Sequence, residues 1–313
     1  MKKGFLAEAL PSTQLLFAGL ILIGSWIVFQ IIGMLSGMLI FGLSIQEVAN
    51  TFEIFKDPLS IAYLKYVQAY TSVGMFIVAA GITAWCIDYD WLKFLGLKEK
   101  PEFQISIMAV FFIIIILPFT NFLSYFNTNI HLPAFLSGVE DYFRNQEVKM
   151  SQIMESLLRP GGMGGLLVNL IVIAVIPSIG EELTFRGVIQ KLFSRWFANP
   201  HWAIFLTAFL FSAMHFQFLS FLPRFFLGLV LGYLYYWSGS IWLTMLVHFV
   251  NNGIAVVYYN YYYGGTVGDY MEKVGTPEND AVYTLISLTA GFGLIYFIYR
   301  KYKNEGTNSS LQS

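Results

Sequence analysis

Charge is scarce in this sequence: only 12% of its 313 residues are Asp, Glu, Lys or Arg, about half the share of an ordinary soluble protein. Eighteen Lys+Arg against nineteen Asp+Glu leave a formal charge of −1. No basic excess is available to neutralise a phosphate backbone, which argues against nucleic acid as a partner. There is one cysteine, Cys86, so an internal disulfide and paired C-x-x-C metal spacings are excluded. Ten prolines in all, together with the low charge, exclude a disordered chain.

Apolar residues dominate instead, at 57% hydrophobic and 18% aromatic. A helix rises about 1.5 Å per residue, so about 20 apolar residues span a hydrocarbon layer roughly 30 Å thick. Eight stretches approach or pass that length: Gln14 to Leu43, Tyr66 to Cys86, Ile105 to Tyr125, Leu166 to Thr184, Trp202 to Leu219, Phe225 to Trp237, Ile241 to Tyr261 and Val282 to Tyr299. The expected fold class is all-α, a polytopic membrane helical bundle of about eight transmembrane helices. The first stretch follows Lys2 and Lys3 but is too long for a signal peptide and lacks a small-residue cleavage site, so it reads as a retained helix. Residues 1–160 form N-terminal membrane helices and an outer loop, 161–265 a core carrying the chemistry, and 266–313 the last membrane helix and a polar tail. Asn127 to Gly165 is the longest polar interruption, and its Pro160-Gly-Gly-Met-Gly-Gly165 end opposes regular structure.

Cytoplasmic flanks of membrane helices hold an excess of Lys and Arg. With the N-terminus inside, eleven fall on the cytoplasmic side and seven outside, the latter being Lys56, Lys65, Arg144, Lys149, Arg159, Arg224 and Lys273. The balance puts both termini in the cytoplasm, in the plasma (inner) membrane if the source is bacterial. The tyrosines from Tyr258 to Tyr263 suit an outer interfacial belt.

Charge at a helix centre costs on the order of 2.5 to 3.5 kcal/mol on insertion scales, so it needs a reason. The exception to an otherwise apolar pattern is Val175-Ile-Pro-Ser-Ile-Gly-Glu181-Glu182-Leu-Thr-Phe-Arg186, where two carboxylates close an apolar helix and an arginine follows. Glu182 and Arg186 are four apart and share a face, while Glu181 lies about 100° round from Glu182. Pro177 bends the helix and frees backbone groups, which membrane interiors tolerate around protein or a wet cavity. The bland alternative is that these charges mark a helix end. His215 and His248, each in apolar surroundings, weigh against it. Phe211 can wall the His215 ring four residues on, and His248 and Asn252, also four apart, share a face. Gly228 and Gly232 form a small-xxx-small pair suited to close helix packing.

Peptide hydrolysis needs a base for water, donors for the oxyanion and a proton for the leaving amine. Glu181 suits the base, His248 and the Asn252 amide the donors, His215 the orientation of water, and Glu182 with Arg186 the scaffold. A catalytic zinc held by His215, His248 and a glutamate is the alternative, although H-E-x-x-H is absent.

Glu181-Glu182-Leu-Thr-Phe-Arg186 fits E-E-x-x-x-R, Phe211-Ser-Ala-Met-His215 fits F-x-x-x-H, and His248-Phe-Val-Asn-Asn252 fits H-x-x-x-N. In this order, with Phe226-Leu-Gly-Leu-Val-Leu-Gly232 and Ser238-Gly-Ser-Ile241 between the last two, the sequence closely resembles the CPBP family of intramembrane proteases over about Leu166 to Tyr261. That family includes the Ras-converting CAAX prenyl endopeptidases and proteins of bacteriocin processing and immunity. The resemblance implies an eight-helix core with a polar cavity toward the cytoplasm and catalytic positions at Glu181, Glu182, Arg186, His215, His248 and Asn252. It allows Zn2+ or a metal-free, glutamate-activated water. Its substrate would be a membrane-associated or lipidated protein or peptide, including the CAAX-type prenylated class, in contact with the lipid bilayer. The rivals are a non-catalytic membrane peptide-binding, bacteriocin-immunity or scaffold protein, and a transporter, whose expected paired repeats are absent. One tension is geometric: His215 falls about 20 Å along its helix, while Glu181 falls near the inner end of its own.

Overall fold

The computed structural model describes residues 3–51, 57–158 and 161–304. Lys2, Lys56, Arg159 and Pro160, used in the charge and breaker patterns above, lie outside them. The described residues form an all-α membrane bundle without a β-sheet; one isolated antiparallel bridge pairs Lys3 with Asp88.

Apart from the short helices Ile45–Thr51 and Trp91–Phe94, the helices are α1 Pro11–Phe41, α2 Pro58–Ile87, α3 Phe103–Ile115, α4 Leu117–Thr128, α5 Ser137–Leu158, α6 Gly162–Phe197, α7 Pro200–Ala213, α8 Phe221–Ser238, α9 Ile241–Tyr261, α10 Thr266–Lys273 and α11 Val282–Asn304. Among the described residues six helical spans are long and apolar enough to cross a membrane, counting Phe218–Ser238 for α8, and the pair α3 and α4 makes a seventh if taken as one bent span. Ile105 to Tyr125 was expected to be one helix; it breaks by 45° at Ile116, just before Pro118. The fifth expected crossing, Trp202 to Leu219, is the fourteen-residue α7, only about 21 Å long. Its helix stops at Ala213, and Phe216 follows at φ +53°, a conformation rare for a bulky non-glycine residue.

The expected helix Leu166 to Thr184 is corrected at both ends. The glycines after Gly161 do not stop it, since Gly162–Asn169 is already helical, and the chain stays helical to Phe197. Glu181 and Glu182 therefore sit inside α6 rather than closing it. α6 is not uniform: π-helical turns at Leu170–Val175 and Phe185–Gln190 bracket the α-helical Ile176–Thr184. Such turns insert an extra residue per turn and re-aim the side chains that follow.

This continuity removes the depth conflict. From Phe197 back to Glu181 is about 24 Å of helix, and from Pro200 forward to His215 about 22 Å. α6 and α7 run side by side, with the Phe185 and Phe211 rings 5.2 Å apart edge-on, so acid and imidazole reach the same depth.

The polar interruption contains α5, an amphipathic helix. Its start is clamped by Glu140, which accepts from the Leu132 N–H at 2.7 Å, pairs with Arg144 at 2.8 Å and meets His131 Nδ1 at 2.9 Å. The two largest of four apolar clusters among the described residues hold the bundle together. One joins Ala80, Ala84, Leu95, Leu183, Leu192 and Ile241; the other joins Ile105, Ala109, Leu231, Leu243, Val247 and Ile298.

Candidate active site

Gly228 and Gly232 let α8 press against α7 and α6. A Cβ on Gly228 would stand 3.0 Å from Ala208, and one on Gly232 would stand 2.7 Å from Ile204. The bare backbone has a second use. Arg186 Nη2 donates to the Gly228 carbonyl at 3.0 Å and Gln190 Nε2 to the Gly232 carbonyl at 3.0 Å, so two side chains four apart on α6 meet two carbonyls four apart on α8.

Arg186 is the largest fully buried side chain, and Glu182 is equally sealed. A charge in such a place is tolerated only when paired and hydrogen-bonded. Arg186 Nη1 donates to Glu182 Oε1 at 2.9 Å, and the guanidinium lies 4.9 Å from the centre of the Phe211 ring. The same Glu182 oxygen meets His248 Nδ1 of α9 at 2.9 Å. Beyond the ring, His248 Nε2 faces Glu181 Oε2 at 3.8 Å. Glu181 keeps 12% of its side chain exposed while Glu182 keeps none. The adjacent carboxylates thus have different surroundings: one is sealed into a lattice with Arg186 and His248, the other keeps a small exposed edge.

Pro177 lacks an N–H, so the Ile173 carbonyl four residues earlier has no α-helical donor. Asn252 Nδ2 lies 3.4 Å from that oxygen, and Asn251 Nδ2 donates to Asn252 Oδ1 at 3.1 Å. On the α2 side, Thr184 Oγ1 donates to the Phe76 carbonyl at 2.9 Å, in the π-turn Val73–Val78.

His215 stands in the turn after α7. Its Nδ1 donates to the Phe211 carbonyl at 2.8 Å, and the Phe211 ring packs edge-on against both His215 at 5.3 Å and His248 at 5.7 Å between centroids. The six residues expected from the motifs therefore surround one region on α6, the α7 turn and α9.

The sequence pattern left Arg224 on the outer surface and gave Glu147 no role. Arg224 lies in the first turn of α8, hydrogen-bonded to Gln217, and acts electrostatically on both Glu181 and His215. Glu147 of α5 accepts from Ser220 Oγ at 2.7 Å and from Gln217 Nε2 at 3.4 Å. The signal that could have found Arg224 is an arginine entering an apolar helix four residues before Gly228.

Among the described residues no group of three or more His, Cys, Asp or Glu side chains is arranged to hold a metal ion. Glu182 bonds His248 Nδ1 and the Phe211 carbonyl takes the His215 Nδ1 proton, which fixes both rings and leaves their Nε2 atoms, with Glu181, as the groups that would have to hold a zinc. The chemistry below is assigned to the chain's own groups.

Residues 163–254 match the family model described as type II CAAX prenyl endopeptidase Rce1-like. The uncharacterized protein YpbD of Bacillus subtilis (strain 168) is 28% identical over 90 residues, which cover 28% of this chain and 43% of YpbD. The match thus spans less than half the length of that curated relative. No solved structure matches the chain. The stretch that builds this cluster, all six motif residues included, lies within the residues that match that family model.

Proposed function

We propose that the protein is an intramembrane endopeptidase that hydrolyses a peptide bond in a membrane-associated or lipidated protein, the CAAX-type prenylated class included, by water activated at Glu181 and His248. The observation that carries this is the relay from Arg186 through Glu182 and His248 to Glu181, built from two distant stretches and ending at the less buried carboxylate.

Glu182, fixed by Arg186, holds the His248 ring and its Nδ1 proton, which leaves Nε2 directed at Glu181. Two groups 3.8 Å apart can bond one water between them. Glu181 takes its proton as the oxygen attacks the carbonyl carbon, then delivers that proton to the departing amine. Assistance of this kind is worth about 10² to 10⁴ in rate. The negative charge formed on the carbonyl oxygen needs donors. An amide carries two N–H bonds, and Asn252 directs one of its amide hydrogens at Ile173, which leaves the second for the oxyanion. His215, whose Nδ1 proton is held by the Phe211 carbonyl, confines the water with its ring rather than as a third acceptor, since a water has two protons to give.

Purified protein in detergent, incubated with a library of membrane peptides, tests the proposal by mass-spectrometric detection of a cut product. Cleavage that persists after exhaustive chelation supports the metal-free assignment, and strict loss with recovery on Zn2+ overturns it. Stable peptide binding with no product supports the sequestering, immunity-type alternative instead.

A further inference from the structure

A cavity of about 240 Å³ lies between α3, α4, α8 and α9, walled by apolar residues and by Thr120, Asn121, Ser124, Arg224 and Asn251. Arg224 supplies its charge, and no Asp or Glu is among the residues that line it. The guanidinium donates through Nη2 to Gln217, while Nη1 is shut off from solvent with no partner among the described residues. Glu147 and Glu181 offset its charge without bonding Nη1, so a small turn of the guanidinium into the cavity that it lines would let a ligand supply the missing acceptor. The flat, forked guanidinium matches the two oxygens of a carboxylate. Glu147 and Glu181 act on Arg224 electrostatically but are not among the lining residues.

The cavity adjoins the active-site cluster. Asn251 lines it, and the Asn251 amide is hydrogen-bonded to Asn252. An extended peptide advances about 3.4 Å per residue, so residues next to the bond held at Glu181 are the ones that can enter. We propose that this cavity is a subsite for a carboxylate of the peptide, with Arg224 as its anchor and Asn251 as a second donor. The carboxylate is either the peptide's C-terminus or an acidic side chain beside the cleaved bond. The assignment of a peptide as ligand rests on the hydrolase proposal above.

The test uses the full chain in detergent micelles and three fluorescein-labelled peptides of one apolar sequence. One has a free C-terminal carboxylate, one a C-terminal amide, and one is the amide with a single internal Glu. Anisotropy measures binding to Glu181→Gln protein, alone and combined with Arg224→Lys, Arg224→Gln or Asn251→Leu, each checked for folding by its thermal midpoint. The account expects at least one acid peptide to bind roughly tenfold or more tightly than the plain amide. That preference, read as the ratio of acid to amide affinity within each variant, should weaken in Arg224→Lys and vanish in Arg224→Gln. Which acid peptide gains identifies the source of the carboxylate. If Arg224→Gln does not fold, Asn251→Leu decides, since it narrows the cavity and should reduce the acid preference. Equal binding of acids and amide, an acid preference that survives these variants, or no measurable binding of either acid overturns the assignment. Cleavage is read separately. Wild-type protein that binds acids selectively but cuts nothing removes the hydrolase proposal and keeps the subsite; cleavage without acid preference does the reverse.

Discussion

The pair of adjacent glutamates carries two different tasks because their surroundings differ. Glu182 is a structural charge: with Arg186 it forms a fully buried pair, and removing one partner of such a pair costs about 3 to 5 kcal/mol. Arg186→Met should therefore lower thermal stability by that order, measured in detergent by scanning fluorimetry. Combining it with Glu182→Gln should recover part of the loss, because no uncompensated charge is left inside. Glu181 is the opposite case. Its partner among the described contacts is His248 at 3.8 Å, beyond hydrogen-bond reach, so Glu181→Gln should leave the thermal midpoint nearly unchanged while it removes the base. A large fall in stability for Glu181→Gln would contradict this division.

At the scale of elements, the motif spacings were legible because residues four apart on a helix meet whatever surrounds them, as Glu182 and Arg186 do, and the turn after α7 keeps that neighbourhood for Phe211 and His215. The limits of the helices were harder to read. An apolar code does not distinguish α from π turns, so neither the passage of α6 through Glu181 and Glu182 nor the early stop of α7 was visible. Nor does spacing show that Gly228 and Gly232 offer carbonyls to Arg186 and Gln190 as well as room. Gly232→Val should force α8 away from Ile204 and cost about 1 to 3 kcal/mol by overpacking, with loss of the Gln190 contact; unchanged stability would show that the helices do not meet there. The clamp at the start of α5 titrates separately. Arg144, the Leu132 N–H and His131 hold the Glu140 carboxyl down to about 2, from an ordinary value of 4.5. A depressed folded-state value means stability that is complete above the unfolded pKa and lost as pH falls through the folded one. Hydrogen-exchange protection around Leu132 should therefore fall between about pH 4.5 and 2, and Glu140→Gln should show reduced protection at neutral pH without that transition.

For the whole molecule, composition and hydropathy were sufficient for an all-α membrane bundle, because lipid leaves few other ways to satisfy the backbone. They were insufficient for Arg224, which looked like a surface charge until α8 placed it beside the cluster. Orientation remains a proposal from the charge balance: cysteines introduced at Lys98 and Lys273 should react with impermeant reagent from the inside and outside respectively, with buried Cys86 silent, and the reverse pattern would invert the topology. The central claim is that Glu181 and His248 activate one water. The most direct measurement is the single-turnover rate of product formation from one identified peptide, compared among wild type, Glu181→Ala and His248→Ala at equal folded concentration. The account predicts falls of about 10² to 10⁴ in both variants; rates equal to wild type in either would contradict it.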